Sequence, residues 1–329
     1  MRKISVIVIS YNEKPYLIRA IESVVALRHD DLHIEIIIGD DGSDDGSLEL
    51  IGQIEKDYSG DNISINHFVM ERPEPGTHIF PSFRVSSLIR HALSLATGDY
   101  CSILSADDHF CGDSKFINAI SFLEKNPDYY SYVSGYRTVG NVQEEFVPVV
   151  YSSWLFWGHL DYFHVSCFVF RMIKPEQLLE RFCDDTGMVY SVLKLGKCKS
   201  DKGIDFEYVQ RDTSIFHSQK KCEFLIIEAM IIQDILNDSH PGKGFVFATY
   251  SREFRFLREL VTVRKETKDD RYSFYRNEFG KHDHNLLELL TETGSFKNKA
   301  RRFFFMMKIC FCHYSISVIY RIRKLFGHK

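Results

Sequence analysis

The stretch Ile36-Ile37-Ile38-Gly39-Asp40-Asp41-Gly42-Ser43 decides how this chain is read: an apolar run of strand length stops in two aspartates and a turn-forming Gly-Ser. A second run has the same form, Ile103-Leu104-Ser105-Ala106-Asp107-Asp108-His109. In an open α/β sheet, ligands bind outside the carboxyl ends of the strands. Carboxylates at two such ends therefore predict a site for a metal ion and a hydroxyl-rich or nucleotide ligand, and hence an enzyme.

Around these runs the first hundred residues alternate between strand and helix. Ile4 to Ile9 reads as a buried parallel strand, followed by a helix that Asn12 is expected to cap, with Pro15 in its first turn and Leu17, Ile18, Ile21, Val24 and Val25 on one face. Ile34 to Ile38 is the second strand. Ser43 or Asp44 is expected to cap the next helix, which carries Leu48, Ile51 and Ile54, and Ile63 to Phe68 forms a third strand. After a Pro- and Gly-rich loop from Arg72 to Pro81, a helix to about Ala96 leads to the strand Tyr100 to Leu104. Repeated βα units require right-handed crossovers and a parallel sheet. Tyr129 to Phe170 reads as mixed strands and loops rich in aromatic residues, and helical patterns dominate from about Cys222, notably Phe224 to Leu236 and Phe254 to Val263.

Composition narrows the class. The chain has 329 residues, 44% of them hydrophobic, enough for one large domain with an appendage. Its formal net charge of −4 conceals an asymmetry: from Phe296 onward there are nine Lys/Arg and no acid, which leaves −13 for the rest. Eight cysteines show neither a CxxC pair nor zinc spacing and read as reduced core thiols of a cytoplasmic protein. Met1-Arg2-Lys3 runs straight into a strand, so no secretory leader is expected. No GxGxxG or GxxxxGK[ST] occurs, against a dinucleotide enzyme or a P-loop NTPase. A calcium loop starting at Asp41 fails because its twelfth position is Gly52.

The run Ser5-Val6-Ile7-Val8-Ile9-Ser10-Tyr11-Asn12-Glu13, then Ala20-Ile21-Glu22-Ser23-Val24, then Ile36 to Ser47, and finally Ala96-Thr97-Gly98-Asp99-Tyr100 with Ser105-Ala106-Asp107-Asp108, resembles the family-2 glycosyltransferases of the GT-A fold, of the type that builds bacterial O-antigen, capsule or exopolysaccharide. The resemblance extends to about residue 220. It implies an α/β fold with a Rossmann-like, mostly parallel central sheet flanked by helices, and a helical C-terminal extension. The implied domains are 1–221 (nucleotide-sugar half about 1–112, acceptor half about 113–221), a helical extension 222–295, and a basic segment 296–329. The implied cofactor is Mn2+ or Mg2+. Asp108 would be its principal ligand and His217 a further one. Donor binding would fall to Ile9, Tyr11, Glu13, Asp41, Arg84, Asp107 and Arg211, with Tyr11 and Asp41 at the base. The segment Tyr208 to Ser218 would fold over the diphosphate. Asp185 would be the general base with Asp184 beside it, and His164, Ser166 and Trp157 would contact the acceptor. The chain departs from the family pattern at Ser105, where another Asp is common, and at Asp184, where Glu is common.

Inverting transfer needs a base to take the proton of the attacking hydroxyl. The expected reaction moves a hexose from a UDP-sugar to a hydroxyl of an oligosaccharide on a polyprenyl-diphosphate lipid. Alternatives left open are a nucleotidyltransferase, which usually has a Gly-rich phosphate loop that Ser10-Tyr11-Asn12-Glu13 lacks, and a non-catalytic glycan-binding or scaffold protein on a degenerate transferase fold. In the tail, the uncharged stretch Ile309 to Tyr320 has only 12 residues, too short to span a bilayer. Basic residues flank it on both sides. An amphipathic helix lying on the inner face of the cytoplasmic membrane is the expectation, with no nucleic-acid partner.

Overall fold

The computed structural model describes residues 1–72, 81–140, 142–150, 152–159, 164–179 and 185–211, with parts of 227–252 and of 307–322. The chain divides into two compact units, Met1–Ser153 with Asp161–His217, and Trp154–Leu160 with Ser218–Lys329.

In the first unit β1 (Arg2–Ser10), α1 (Lys14–Val25), β2 (Leu32–Asp40), α2 (Ser47–Tyr58), β3 (Ile63–Val69), α3 (Pro81–Leu95) and β4 (Tyr100–Ser105) alternate as expected. The order β3-β2-β1-β4 is wholly parallel, with Val6 opposite Ile36 and Ser102. Strands covered on both faces explain the unbroken apolar runs: Ile4, Val6, Val8, Ile34, Ile36 and Ile38 are completely buried, and Leu17, Ala20, Ile21 and Val24 of α1 are sealed as well. Beyond β4 the sheet becomes mixed. It continues through β5 (His109–Phe110), α4 (Lys115–Lys125), β6 (Tyr129–Val139) and β7 (Glu145–Phe146). A short helix α5 (Ser153–His159) precedes β8 (Phe168–Arg171), α6 (Asp185–Leu193) and β9 (Lys197–Val209). β8 runs antiparallel to both β4 and β6, and β9 is parallel to β6 but antiparallel to β5.

Three local expectations are corrected. Asn12 does not cap α1; it adopts a left-handed φ of 54°, and its side chain exchanges hydrogen bonds of 3.0 Å with the Asp44 carboxylate and backbone N–H, tying the first loop to the second. Neither Ser43 nor Asp44 caps α2. Asp45 Oδ1 accepts from both the N–H and the hydroxyl of Ser47, while Ser43 donates back to Asp40. The aromatic stretch Trp154 to Trp157 is helical rather than strand and loop, because it lies in α5.

In the second unit the α5 side chain of Trp157 is fully buried. Its indole N–H donates to Thr249 at 3.2 Å and the Arg252 guanidinium stacks 4.3 Å above its ring. Gly158 sits where a Cβ would come within 2.9 Å of Ala248 and Ile316, so small residues let these segments approach. No helix among the described residues is long and apolar enough to cross a membrane.

Candidate active site

The parallel half of the sheet delivers its loops to one edge, and the expected donor residues meet there. Asp40 and Asp41 divide the work. Asp40 is buried and turns its carboxylate back on Ser43, making an Asx-type turn. Asp41 turns outward to two arginines. Arg84 of α3 donates to Oδ1 at 2.7 Å, and Arg72 donates to Oδ2 at 2.8 Å and to the Asp41 carbonyl at 3.0 Å. Gly42 has φ +74°, and a Cβ there would lie 3.1 Å from Arg72 and from the Met70 carbonyl, so glycine allows Arg72 to close over Asp41. Arg72 also lies 3.6 Å above the Tyr11 ring. This residue was missed in the sequence, although it follows the end of β3 and therefore lies at the same sheet edge.

A second cluster forms where β1 and β4 end. Arg211 donates to both oxygens of Glu13, at 2.9 and 2.7 Å, and to Asp107 as well, and its guanidinium lies 4.5 Å from the Tyr16 ring. Burial raises the Glu13 carboxyl above its ordinary value, with Arg211 opposing and Asp107 adding to the shift. Ile9 contributes backbone here: its carbonyl accepts from Ala106 N–H at 2.9 Å and so fixes the loop that carries Asp107 and Asp108. The expected diphosphate-covering segment is corrected at its start. Tyr208 and Val209 belong to β9, paired with Thr138 and Val139, rather than to a free loop. Residues 212–218, including His217, lie outside the described residues.

Asp108 stands apart. It is 2% exposed, its Oδ1 accepts from Val209 N–H at 2.8 Å, and its Oδ2 has no hydrogen-bond partner. Burial, then the neighbouring Asp107 charge, and then Asp185 push its carboxyl well above the usual range, against the Val209 hydrogen bond and Arg211. An ionised carboxylate is expensive in such a place unless something positive joins it. The orphaned oxygen therefore fits a hard divalent cation. Among the described residues no three His, Cys, Asp or Glu side chains surround a metal position on their own, so substrate oxygens or water would complete the shell.

Next to Asp108 lie the residues expected to serve the acceptor. Asp185 is the first residue of α6, its side chain is 54% exposed, and Val165 N–H points to its Oδ1 at 3.4 Å. His164 precedes the 3-10 turn Val165–Cys167, and its Nε2 lies 3.6 Å from Asp185 and 4.0 Å from Asp108. Ser166, the middle residue of this turn, is fully buried, and its hydroxyl approaches His164 Nδ1 at 2.8 Å. Tyr208 was not singled out as a site residue. It stacks obliquely on His164 at 5.7 Å, and burial, reinforced by Asp108, Asp107 and Asp185, pushes its hydroxyl up to about 12. Its signal was the alternation of Phe206 and Tyr208, which places both rings on one face of β9. Trp157 is corrected: an indole enclosed by Thr249 and Arg252 in the interior of the second unit presents no face to a sugar. Asp184 lies outside the described residues.

Comparison with known proteins fits this geometry. The structure of S. aureus TarS residues 1–349 in complex with UDP-GlcNAc aligns with a TM-score of 0.54 at 14% identity, covering 95% of this chain and 81% of that one. Full TarS gives 0.52, over 96% and 55%. The fold is thus the GT-A arrangement expected from the sequence. The abequosyltransferase RfbV of Salmonella typhimurium is 32% identical over 127 residues, 39% of this chain and 34% of that protein. The uncharacterized glycosyltransferase MG060 of Mycoplasma genitalium is 32% identical over 108 residues, a third of each. The chain spans about a third of the length of the curated relatives it matches. The Glycosyl transferase family 2 model matches residues 5–191, more than half of the chain and continuous from β1 into α6, and the chain therefore belongs to that family.

Proposed function

We propose that this protein is an inverting, metal-dependent glycosyltransferase that moves a sugar from a nucleotide diphosphate-sugar, UDP-linked by family preference, to a hydroxyl of a lipid-linked oligosaccharide. The observation that carries the reading is the buried Asp108 carboxylate with one oxygen unmatched, beside Asp107 and within reach of the side chains that meet Asp185. Tyr11, Asp41, Arg72 and Arg84 bind the nucleoside. Glu13, Asp107 and Arg211 face the ribose and diphosphate, and Asp108 holds the metal. A divalent cation bound there stabilises the charge that develops on the diphosphate leaving group. Asp185, the most open of these carboxylates, takes the acceptor proton, and Ser166 supports the turn on which the acceptor docks.

The membrane surface is the second partner in this reading. Met307, Phe311, Val318 and Ile322 are 49% to 68% exposed, and their spacing of four, seven and four residues puts them on one side of a helix whose opposite side buries Cys312 and Ile316. With nine basic residues and no acid from Phe296 onward, that side suits an anionic bilayer.

The test is a calorimetric and thermal-shift panel of UDP-, GDP-, dTDP- and CMP-sugars, with and without Mn2+. Stabilisation by one nucleotide class that requires the metal is expected. A folded protein that responds to none of them would favour the non-catalytic scaffold. Vesicles containing phosphatidylglycerol should co-sediment the full chain and not a Phe311→Glu/Val318→Glu variant; equal sedimentation of the two removes the membrane partner.

A further inference from the structure

His164 lies between two carboxylates that the proposed reaction uses for different purposes, and its hydrogen-bonding state follows from its neighbours. The Ser166 backbone N–H, which is only a donor, points at His164 Nδ1 at 3.3 Å. Nδ1 therefore accepts, and in the neutral ring the hydrogen resides on Nε2. Nε2 faces Asp185 Oδ2 at 3.6 Å and Asp108 Oδ2 at 4.0 Å. Phe206 stacks on the ring at 5.2 Å with a 20° interplanar angle, and Tyr208 leans on it at 5.7 Å. The imidazole plane is thus set by two aromatic rings, and its edge by a backbone N–H.

From this geometry we infer that His164 is a positioning residue for Asp185, its Nε2–H aligning the carboxylate toward the acceptor hydroxyl, and not an acceptor-binding residue. The inference rests on Asp185 being the base. It gives that base a second support: among the described residues the hydrogen bond to Asp185 is the 3.4 Å approach of Val165 N–H. The separation from Nε2 is longer than a hydrogen bond, and rotation of the exposed Asp185 side chain would shorten it. Asp108 Oδ2 lies farther from the same Nε2, at 4.0 Å and without a hydrogen bond, so the imidazole stands between the two carboxylates with Asp185 the nearer.

The experiment is a double-mutant cycle in the full chain with Mn2+, using whichever nucleotide sugar the panel selects and following release of the nucleoside diphosphate. His164→Ala should lower kcat by about 10–100-fold, the usual effect of removing a residue that orients a catalytic group, with the donor KM within about 3-fold of the parent. His164→Gln carries an amide N–H that reaches the Nε2 position and should recover most of the lost kcat. In an Asp185→Asn background, His164→Ala should have no further effect, because the carboxylate it orients is gone. Near-native circular dichroism of the Gln variant controls for folding. Losses that multiply in the cycle, a Gln variant no better than Ala, or a raised donor KM at unchanged kcat would each overturn the inference while leaving the base reading intact. Parent-like turnover by Asp185→Asn would instead overturn the base reading itself, and the positioning role with it.

Discussion

Two buried carboxylates, Glu35 on β2 and Asp108 in the turn between β4 and β5, have opposite fates. Glu35, on β2 opposite Ser5, accepts from Ser5 at 2.6 Å, Lys3 at 2.9 Å, and the Thr97 N–H and hydroxyl at 2.8 and 2.5 Å. Burial alone would raise its carboxyl, but these hydrogen bonds outweigh it and hold the group at about 2. Asp108, at the other end of the strands, has one hydrogen bond, an orphaned oxygen and a carboxyl pushed well above the usual range. The first is a rivet between β1, β2 and the loop before β4. The second is left incomplete by the fold, as the proposed ligand position requires: groups that the chain satisfies by itself hold structure, and a buried group that it leaves wanting is a candidate site.

The sharpest way to break this contrast is at Asp108. Asp108→Ala should reduce turnover by about 10³-fold or more, since several kcal/mol of leaving-group stabilisation would go with the proposed metal. It should also erase the Mn2+ dependence of donor binding in calorimetry. Asp185→Asn should cut turnover by about 10²–10⁴-fold with metal-dependent donor binding retained, because it removes the proposed base and leaves the proposed nucleotide cleft alone. Loss of donor binding in that variant would place Asp185 at the wrong partner.

Stability should change with opposite signs at the two positions. The Glu35 carboxyl is depressed in the folded protein, so its contribution is present above the unfolded value of 4.5 and is lost as pH falls from there toward about 2. Its size is on the order of 2–3 kcal/mol, and Glu35→Gln should lower Tm at pH 7 by about 5–10 °C with the acid limb of the stability profile flattened. Asp108 is shifted the other way. Its neutral form is the one the fold prefers, so without metal its stabilising effect is confined to low pH and becomes a penalty as pH rises. Asp108→Asn should therefore raise the Tm of the metal-free protein at pH 7 by a few degrees, and added Mn2+ should stabilise only the parent. A drop in Tm for Asp108→Asn would show that the orphaned oxygen has a structural partner after all.

The same contrast explains what was legible in the sequence. Apolar runs ending in Asp pairs announce both the parallel half-sheet and the sheet edge where the candidate site lies, because strand burial and carboxylate placement are local patterns. Within the first pair, however, which residue turns outward depends on partners that the local pattern does not show. Asp40 is consumed by Ser43 three residues away, while Asp41 is held by Arg72 and Arg84, from two separate segments. Trp157 failed as a sugar platform for a related reason. An aromatic run looks the same whether a helix buries it or a cleft displays it, and here Thr249 and Arg252, about ninety residues on, decide the matter. Asn12 and Ser43 have the composition of helix caps, yet they serve as loop-to-loop ties, because a residue with φ 54° has already left the path that leads into a helix.

Asp41 is the intermediate case, and it supplies the smallest and most informative perturbation. Like Glu35 it is fully paired, but one partner, Arg72, has a side chain 44% exposed that also covers the Tyr11 ring, where a nucleobase is expected. If the pair behaves as scaffold, Arg72 shapes the nucleoside pocket; if it behaves as a placeholder, Arg72 occupies it. The bond to the Asp41 carbonyl and the glycine-enabled closeness at Gly42 favour scaffold, since a placeholder has no need of a backbone anchor. Arg72→Ala should therefore weaken donor binding by about 3–5-fold, roughly one exposed cation-π contact of 0.5–1 kcal/mol, with kcat unchanged, because Arg84 still holds Asp41. Calorimetry with the stabilising nucleotide alone isolates this effect from the metal. Tighter binding by the variant would instead mean that the guanidinium competes with the base for the Tyr11 ring, moving Asp41 from the side of Glu35 to the side of Asp108.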